Sequence, residues 1–201
     1  MQTIKIGATN WEVSNVALGI MRMGTLPVAE AVKTLQAAHE AGINFIDSAD
    51  IYGRDPKLGR GSSEIHFGQA LKQSRLRRDD FYIQSKAGLF ADETGRITRY
   101  DSSKKHLLTA VDGILKRMGI DYLDSFLIHR PDPLMDPEEV AEAFDELQKA
   151  GKVRHFGVSN FNPQQIELLQ QACSQRLLID QLQFSIMHTG MIDFGLHTNM
   201  T

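Results

Sequence analysis

The sequence has little cysteine and no long apolar run. Its single cysteine, Cys173, has no partner for an internal disulfide, which suits a reducing, cytoplasmic compartment. Cys173 falls within a helical pattern and reads as a packing residue. No apolar run approaches the ~20 residues that span a bilayer, and the start, MQTIKIG, lacks a signal-peptide core. An excess of one charge is also missing: 22 Lys and Arg face 25 Asp and Glu, for a formal net charge of -3. The densest basic run, Arg75 to Arg78, is followed at once by Asp79 and Asp80 and reads as a solvated helix end, so no nucleic-acid partner is expected. The seven histidines contain no H-x-H or H-x-x-x-H pair, which argues against a metal-dependent barrel hydrolase. No metal site is expected.

What remains is a chain of 201 residues with 42% apolar content, read as one domain over residues 1–201 with a sizeable core. Residues 3–6 and 11–14 suggest a hairpin. A repeating unit follows. Strands are expected at 16–20, 44–49, 81–86, 122–129, 153–158 and 177–184. Helices are expected at 28–41, 62–74, 103–119, 137–150 and 163–172. The first helix repeats Val28, Val32, Leu35 and Ala38 on one face, and the third repeats Leu107, Val111, Ile114, Leu115 and Met118. Asp136 is placed to cap the fourth helix with Glu139 completing a capping box, and Asn162 with Gln165 does the same for the fifth.

The strands lack strict polar alternation, as in a parallel sheet covered on both faces. An open dinucleotide-binding sheet would carry a Gly-rich turn after its first strand, and LGIMRMG does not match one. The expected fold is therefore α/β, a parallel (β/α)8 TIM barrel. Such a barrel needs two more strands than these six. The chain is accordingly expected to be incomplete at its C-terminal side.

Reactive side chains fall at the C-terminal ends of these strands. Asp47 and Tyr52 lie in NFIDSADIYG, Lys86 in YIQSKAG, His129 in FLIHRPD, and Ser159 and Asn160 in HFGVSNF. Active sites of parallel barrels are built from that edge. Any one of these residues has an ordinary structural reading as a cap, a loop aromatic or a strand end. Their recurrence at successive strand ends is what points to chemistry. A phenol is a poor acid near neutrality, and a nearby ammonium such as Lys86 is expected to lower its pKa. Asp47 would hold the lysine charged, and His129 could hydrogen-bond the phenol or a substrate oxygen and share the proton. The set suits protonation of an oxygen as a hydride reaches carbon.

NFIDSADIYG followed by GRGSSEIHFGQAL, QSKAG, LIHRPD and GKVRHFGVSNF resembles the aldo-keto reductases, over residues 3 to 185. HRPDP is most similar to a bacterial oxidoreductase branch of that family. The resemblance implies reduction of an aldehyde or ketone, a small-molecule carbonyl substrate. It implies Tyr52 as proton donor, with Asp47, Lys86 and His129 completing a catalytic tetrad. It also implies that Ser159, Asn160 and Gln181 hold a nicotinamide carboxamide, and that the turn at residues 19–22 approaches the cofactor. A hydroxyl and two amides suit a ligand group that is itself a carboxamide. NADP(H) is the implied cofactor, with NAD(H) left open. Glu64 is expected to cap or brace. Two other readings stay open: a non-catalytic nicotinamide-binding barrel subunit, and an inactive truncated remnant. Residues 88–101 read as a polar loop.

Overall fold

The structure is a computed structural model in which residues 1–92, 94 and 96–193 are described. It opens on the expected hairpin, β1 (Thr3–Lys5) antiparallel to β2 (Glu12–Ser14). The repeating units follow as β3 (Leu18–Gly19), α1 (Val28–Glu40), β4 (Phe45–Asp47), β5 (Arg54–Asp55), β6 (Gly59–Arg60) and α2 (Ser62–Ser74). Next come β7 (Tyr82–Ala87), β8 (Leu89–Ala91), β9 (Ile97–Tyr100), α3 (Lys104–Met118), β10 (Leu123–Ile128) and α4 (Pro137–Lys149). The last described elements are β11 (Val153–Ser159), α5 (Pro163–Ala172), β12 (Leu177–Gln181) and a one-turn α6 (Gly190–Asp193).

Six of these strands form one sheet in the order β3-β4-β7-β10-β11-β12, and every neighbouring pair is parallel. The order follows the chain without reversal. A doubly wound sheet reverses at a switch point, whereas a barrel wall adds each strand beside the last. The sheet is thus six strands of a (β/α) barrel wall, with α1 to α5 as the connections. Two short hairpins, β5–β6 and β8–β9, rise from the loops after β4 and β7. The second occupies much of residues 88–101, where the sequence reads as plain loop. β8 and β9 pair only with each other, and β9 is mostly exposed, so no alternating pattern marks it.

The helices fold where their apolar faces predict. Leu107, Val111, Ile114, Leu115 and Met118 of α3 are all buried. In α1 the buried residues are Ala31, Leu35 and Ala38, while Val32 packs partly buried against the core. Asp136 caps α4 through Glu138 N and Glu139 N at 3.0 and 3.4 Å. The expected capping box does not close there, because Glu139 Oε2 instead accepts from Lys104 N of α3 at 3.1 Å. The box at Asn162 and Gln165 does close.

The hairpin covers the N-terminal ends of the strands. Trp11 lies 5.1 Å from the ring of Tyr82 and 4.8 Å from that of His155. The opposite edge is left to the loops. Gly53 there has φ +78°, and a Cβ on it would stand 2.5 Å from Ser62 Oγ. The turn after Tyr52 is thus pressed against the start of α2, and only glycine suits it.

Candidate active site

The parallel register sets the site. β3 aligns Gly19 with Asp47, β4 aligns Asp47 with Gln84, and β7 aligns Lys86 with Leu127. Asp47 and Lys86 therefore end adjacent strands, and their side chains meet. Lys86 Nζ donates to Asp47 Oδ1 at 2.6 Å and to the Ser48 carbonyl at 2.7 Å. Lys86 is 1% exposed, so this is a buried ion pair. Burial pushes the lysine pKa down, against the opposing pull of Asp47 and Glu64. A buried charge persists only when it is paired and hydrogen-bonded, and Lys86 is both.

Tyr52 and His129 close the group. The Lys86 ammonium sits 5.3 Å from the centroid of the Tyr52 ring. The Tyr52 and His129 rings are 5.8 Å apart at 83°, edge to face. Burial first, and then the Asp47 carboxylate, push the phenol up to about 12, with Arg130 opposing. This reverses the expectation of a phenol lowered by the lysine. The ammonium is engaged by Asp47 at 2.6 Å, and at the phenol burial and the Asp47 carboxylate prevail. His129 is pushed down to about 3 by burial, Lys86 and Arg130. It is a neutral imidazole near pH 7, suited to hydrogen bonding and not to carrying the proton. Its Nδ1 is buried with no hydrogen-bond partner.

Ser159, Asn160 and Gln181 also come together. β11 and β12 align Ser159 with Gln181, and Ser159 Oγ donates to the Gln181 carbonyl at 2.8 Å. Asn160 adopts φ 65°, a left-handed conformation in which asparagine is enriched. It donates through Nδ2 to the His129 carbonyl at 3.0 Å and to Ser159 Oγ at 2.9 Å. These bonds tie the group to the Tyr52–His129 pair. Gln181 Oε1 is buried without a hydrogen-bond partner. An amide oxygen left in that condition suits a ligand that donates, such as a carboxamide.

One buried side chain beside the site escapes a reading by strand ends. Gln84, 2% exposed, donates to Asp47 Oδ1 at 2.8 Å and accepts from Ser125 Oγ at 3.1 Å. It shares the carboxylate oxygen that holds Lys86, and fixes its position. The signal for it was the polar pair Gln84-Ser85 inside an otherwise apolar strand. Glu64 braces, as expected. It is fully buried, accepts from Ser85 Oγ at 2.9 Å and pairs with Arg117 Nε at 2.7 Å. A cavity of about 420 Å³ opens over Tyr52, and Met21, Arg22, Ile51 and Arg54 are among the residues lining it.

The sequence and the fold are matched by known proteins. The sequence model of the Aldo/keto reductase family matches residues 15–201. The chain belongs to this family. It is 36% identical over 196 residues to oxidoreductase YdhF of Escherichia coli (strain K12), covering 96% of this chain and 64% of that protein. It is 38% identical over 192 residues to 6-dehydroglucose reductase of Agrobacterium fabrum, covering 92% of this chain and 62% of that one. The chain thus spans a little under two thirds of the length of these curated relatives. Among solved structures, the glycerol dehydrogenase AKR11B4 from Gluconobacter oxydans superposes with a TM-score of 0.80 at 29% identity, over 96% of this chain and 58% of that one. Among the described residues, no helix is long and apolar enough to cross a membrane.

Proposed function

We propose that this protein reduces an aldehyde or ketone to an alcohol, with Tyr52 as proton donor and a nicotinamide dinucleotide, NADP(H) in the first instance, as reductant. The observation that carries the reading is the buried Lys86–Asp47 pair at 2.6 Å with its ammonium 5.3 Å from the Tyr52 ring. A reduced nicotinamide, when bound, supplies hydride to the carbonyl carbon. Everything else falls to the chain's own residues. Ser159, Asn160 and Gln181 would take the carboxamide, the unpartnered Gln181 Oε1 accepting from its N–H.

Tyr52 then stands where the carbonyl oxygen gathers charge. A phenol at about 12 is fully protonated near pH 7. The alkoxide it must protonate is far more basic than a phenolate, so the transfer runs downhill even from so weak an acid. Lys86 contributes a fixed positive charge beside the developing phenolate, in a site where little water dilutes the field. Asp47 and Gln84 hold that ammonium in place. His129, neutral, would donate a hydrogen bond to the same oxygen and orient it.

Tyr52→Phe in the full-length protein tests the reading. The ring and its packing stay and only the hydroxyl goes. NADPH-dependent reduction of aldehydes should fall by about 10²–10⁴-fold, while NADPH binding, followed by its fluorescence, should change little. A variant that keeps most of its rate would remove Tyr52 from the reaction. A wild-type protein that binds NADPH and reduces no carbonyl compound would make this a nicotinamide-binding subunit instead.

A further inference from the structure

The cavity over Tyr52 carries an unbalanced charge. Arg22, from the turn after β3, and Arg54, of β5, both line it, along with Met21 and Ile51. No acidic side chain lines it among the described residues. The nearest carboxylate in sequence, Asp55, is turned back onto the N–H groups of Lys57 and Leu58 at 2.8 and 2.9 Å. Among the described residues neither Arg22 nor Arg54 makes an ion pair. Arg130, next to His129 in sequence, adds a cation whose charge acts on both Tyr52 and His129. Beneath them the Lys86–Asp47 pair is neutral as a unit. The chain as a whole carries a net charge of -3. A positively lined cleft in an acidic chain is a local device. It concentrates anions and repels cations.

We propose that the substrate of this site is an anionic carbonyl compound, an aldehyde or ketone bearing a carboxylate or similar small oxyanion on a short aliphatic stem. The oxyanion would sit between Arg22 and Arg54, the stem against Met21 and Ile51, and the carbonyl oxygen at Tyr52. Arginine suits that role because its planar fork meets a carboxylate through two parallel hydrogen bonds. Arg130, next to His129, would add field without competing for the oxyanion. The proposal rests on the reductase reading of Tyr52, and it adds the charge of the molecule reduced.

The same cations could instead serve the phosphates of the dinucleotide, so the test has separate arms. With the full-length protein and NADPH, kcat/KM is measured for 5-oxopentanoate and for pentanal, which differ by one carboxylate. The charged aldehyde should be preferred by about tenfold or more, the scale of one charge-assisted contact. Arg54→Gln should remove about tenfold from the charged substrate and leave pentanal within roughly threefold, whereas Arg22→Gln, in the turn that approaches the cofactor, is read by glutarate binding alone. Arg54→Lys should keep part of the preference. Both arginines lie at the surface of the cavity, so folding should survive these changes. Calorimetric titration with glutarate, which cannot be reduced, reads the anion site without turnover. Glutarate binding that weakens in both variants, in a protein that reduces neither aldehyde, would keep the anion site and discard the reductase reading. Equal reduction of the two aldehydes, with no glutarate binding, would keep the reductase and overturn the proposal. Weakened NADPH binding with glutarate binding unchanged would assign the arginines to the dinucleotide and overturn it as well.

Discussion

The two ends of the sheet each hold a cluster of charged side chains, built for different purposes. At the N-terminal end Asp124 is 2% exposed and its carboxylate is in use on both oxygens. Oδ2 accepts from Ile83 N at 2.8 Å and Arg78 Nη2 at 2.6 Å, and Oδ1 meets Arg154 Nη1 at 3.4 Å. The two guanidinium groups also stack on the Tyr122 ring, at 3.7 and 3.8 Å from its centroid. Arg78, expected from sequence to be a solvated helix end, is thus a structural clamp. Its Nε is the one atom of this cluster left buried and unpaired. At the C-terminal end the balance is reversed. Lys86 and Asp47 are paired, while His129 Nδ1, Gln181 Oε1, Asp180 Oδ1 and Asp50 Oδ1 are buried without partners. Buried polar atoms cost about 1–3 kcal/mol each when unpaired. A fold that leaves several unpaired around one cluster and a single one around the other keeps the first cluster for ligands.

Exchange of roles between the two ends would break this comparison, and two substitutions test for it. Tyr52→Phe carries the largest expected effect, about 10²–10⁴-fold in kcat, with a thermal midpoint close to wild type. Asp124→Ala should do the converse. It strands Arg78 and the Ile83 N–H in a buried setting, and breaking one partner of a buried pair costs about 3–5 kcal/mol. Denaturant titration should show that loss, and kcat of the remaining folded fraction should be near normal. A stable Asp124→Ala protein with lost activity would place chemistry at the wrong end.

The same contrast decides what could be read from sequence. Asp47, Lys86, His129 and Ser159 stand out because each is polar at the end of an apolar run, and period and position suffice to find them. Arg78 and Asp124 interact across 46 positions, and no local rule connects them. Glu139 obeys the capping-box spacing, yet it serves Lys104 on another helix. The β8–β9 hairpin has no apolar period because Leu89 alone is fully buried in it and β9 is mostly exposed. The direction of the Tyr52 pKa escapes the sequence for a related reason. Sequence can put a lysine beside a phenol, but the sign of the shift depends on burial and on the lysine's prior commitment to Asp47.

That commitment makes a smaller, sharper prediction. Lys86→Met removes the charge and keeps much of the stem. His129, held near 3 by burial and in part by the lysine, should titrate higher, by roughly one pH unit. Tyr52, with Asp47 no longer neutralised, should become harder still to ionise. Histidine NMR titration reads the first effect. The rate should fall alongside, because the positive charge beside the phenolate is gone. A His129 titration indifferent to Lys86 would mean that the two do not share a field.

The smallest effect concerns Asp50, which lies just before Tyr52 and behind the site. It is 6% exposed, and burial, then Glu64, raise its pKa to about 7 against the pull of Arg60 and Arg117. Arg117 is already bonded to Glu64 at 2.7 Å, which leaves Asp50 the poorer carboxylate of the two. An unfolded aspartate ionises near ~3.9. Between there and about 7 the folded protein holds a proton that the unfolded chain has lost. Stability therefore falls as pH rises through that window and stays reduced above it. Asp50→Asn keeps the shape and cannot ionise. Relative to wild type it should gain stability at pH 8, on the order of 1 kcal/mol, and the gain should shrink toward pH 4. Thermal denaturation of both proteins at pH 4.5, 6 and 8 measures the difference. Parallel curves would mean that Asp50 ionises in the folded protein as easily as in water, and that the C-terminal end of the sheet is less strained than its unpartnered atoms indicate.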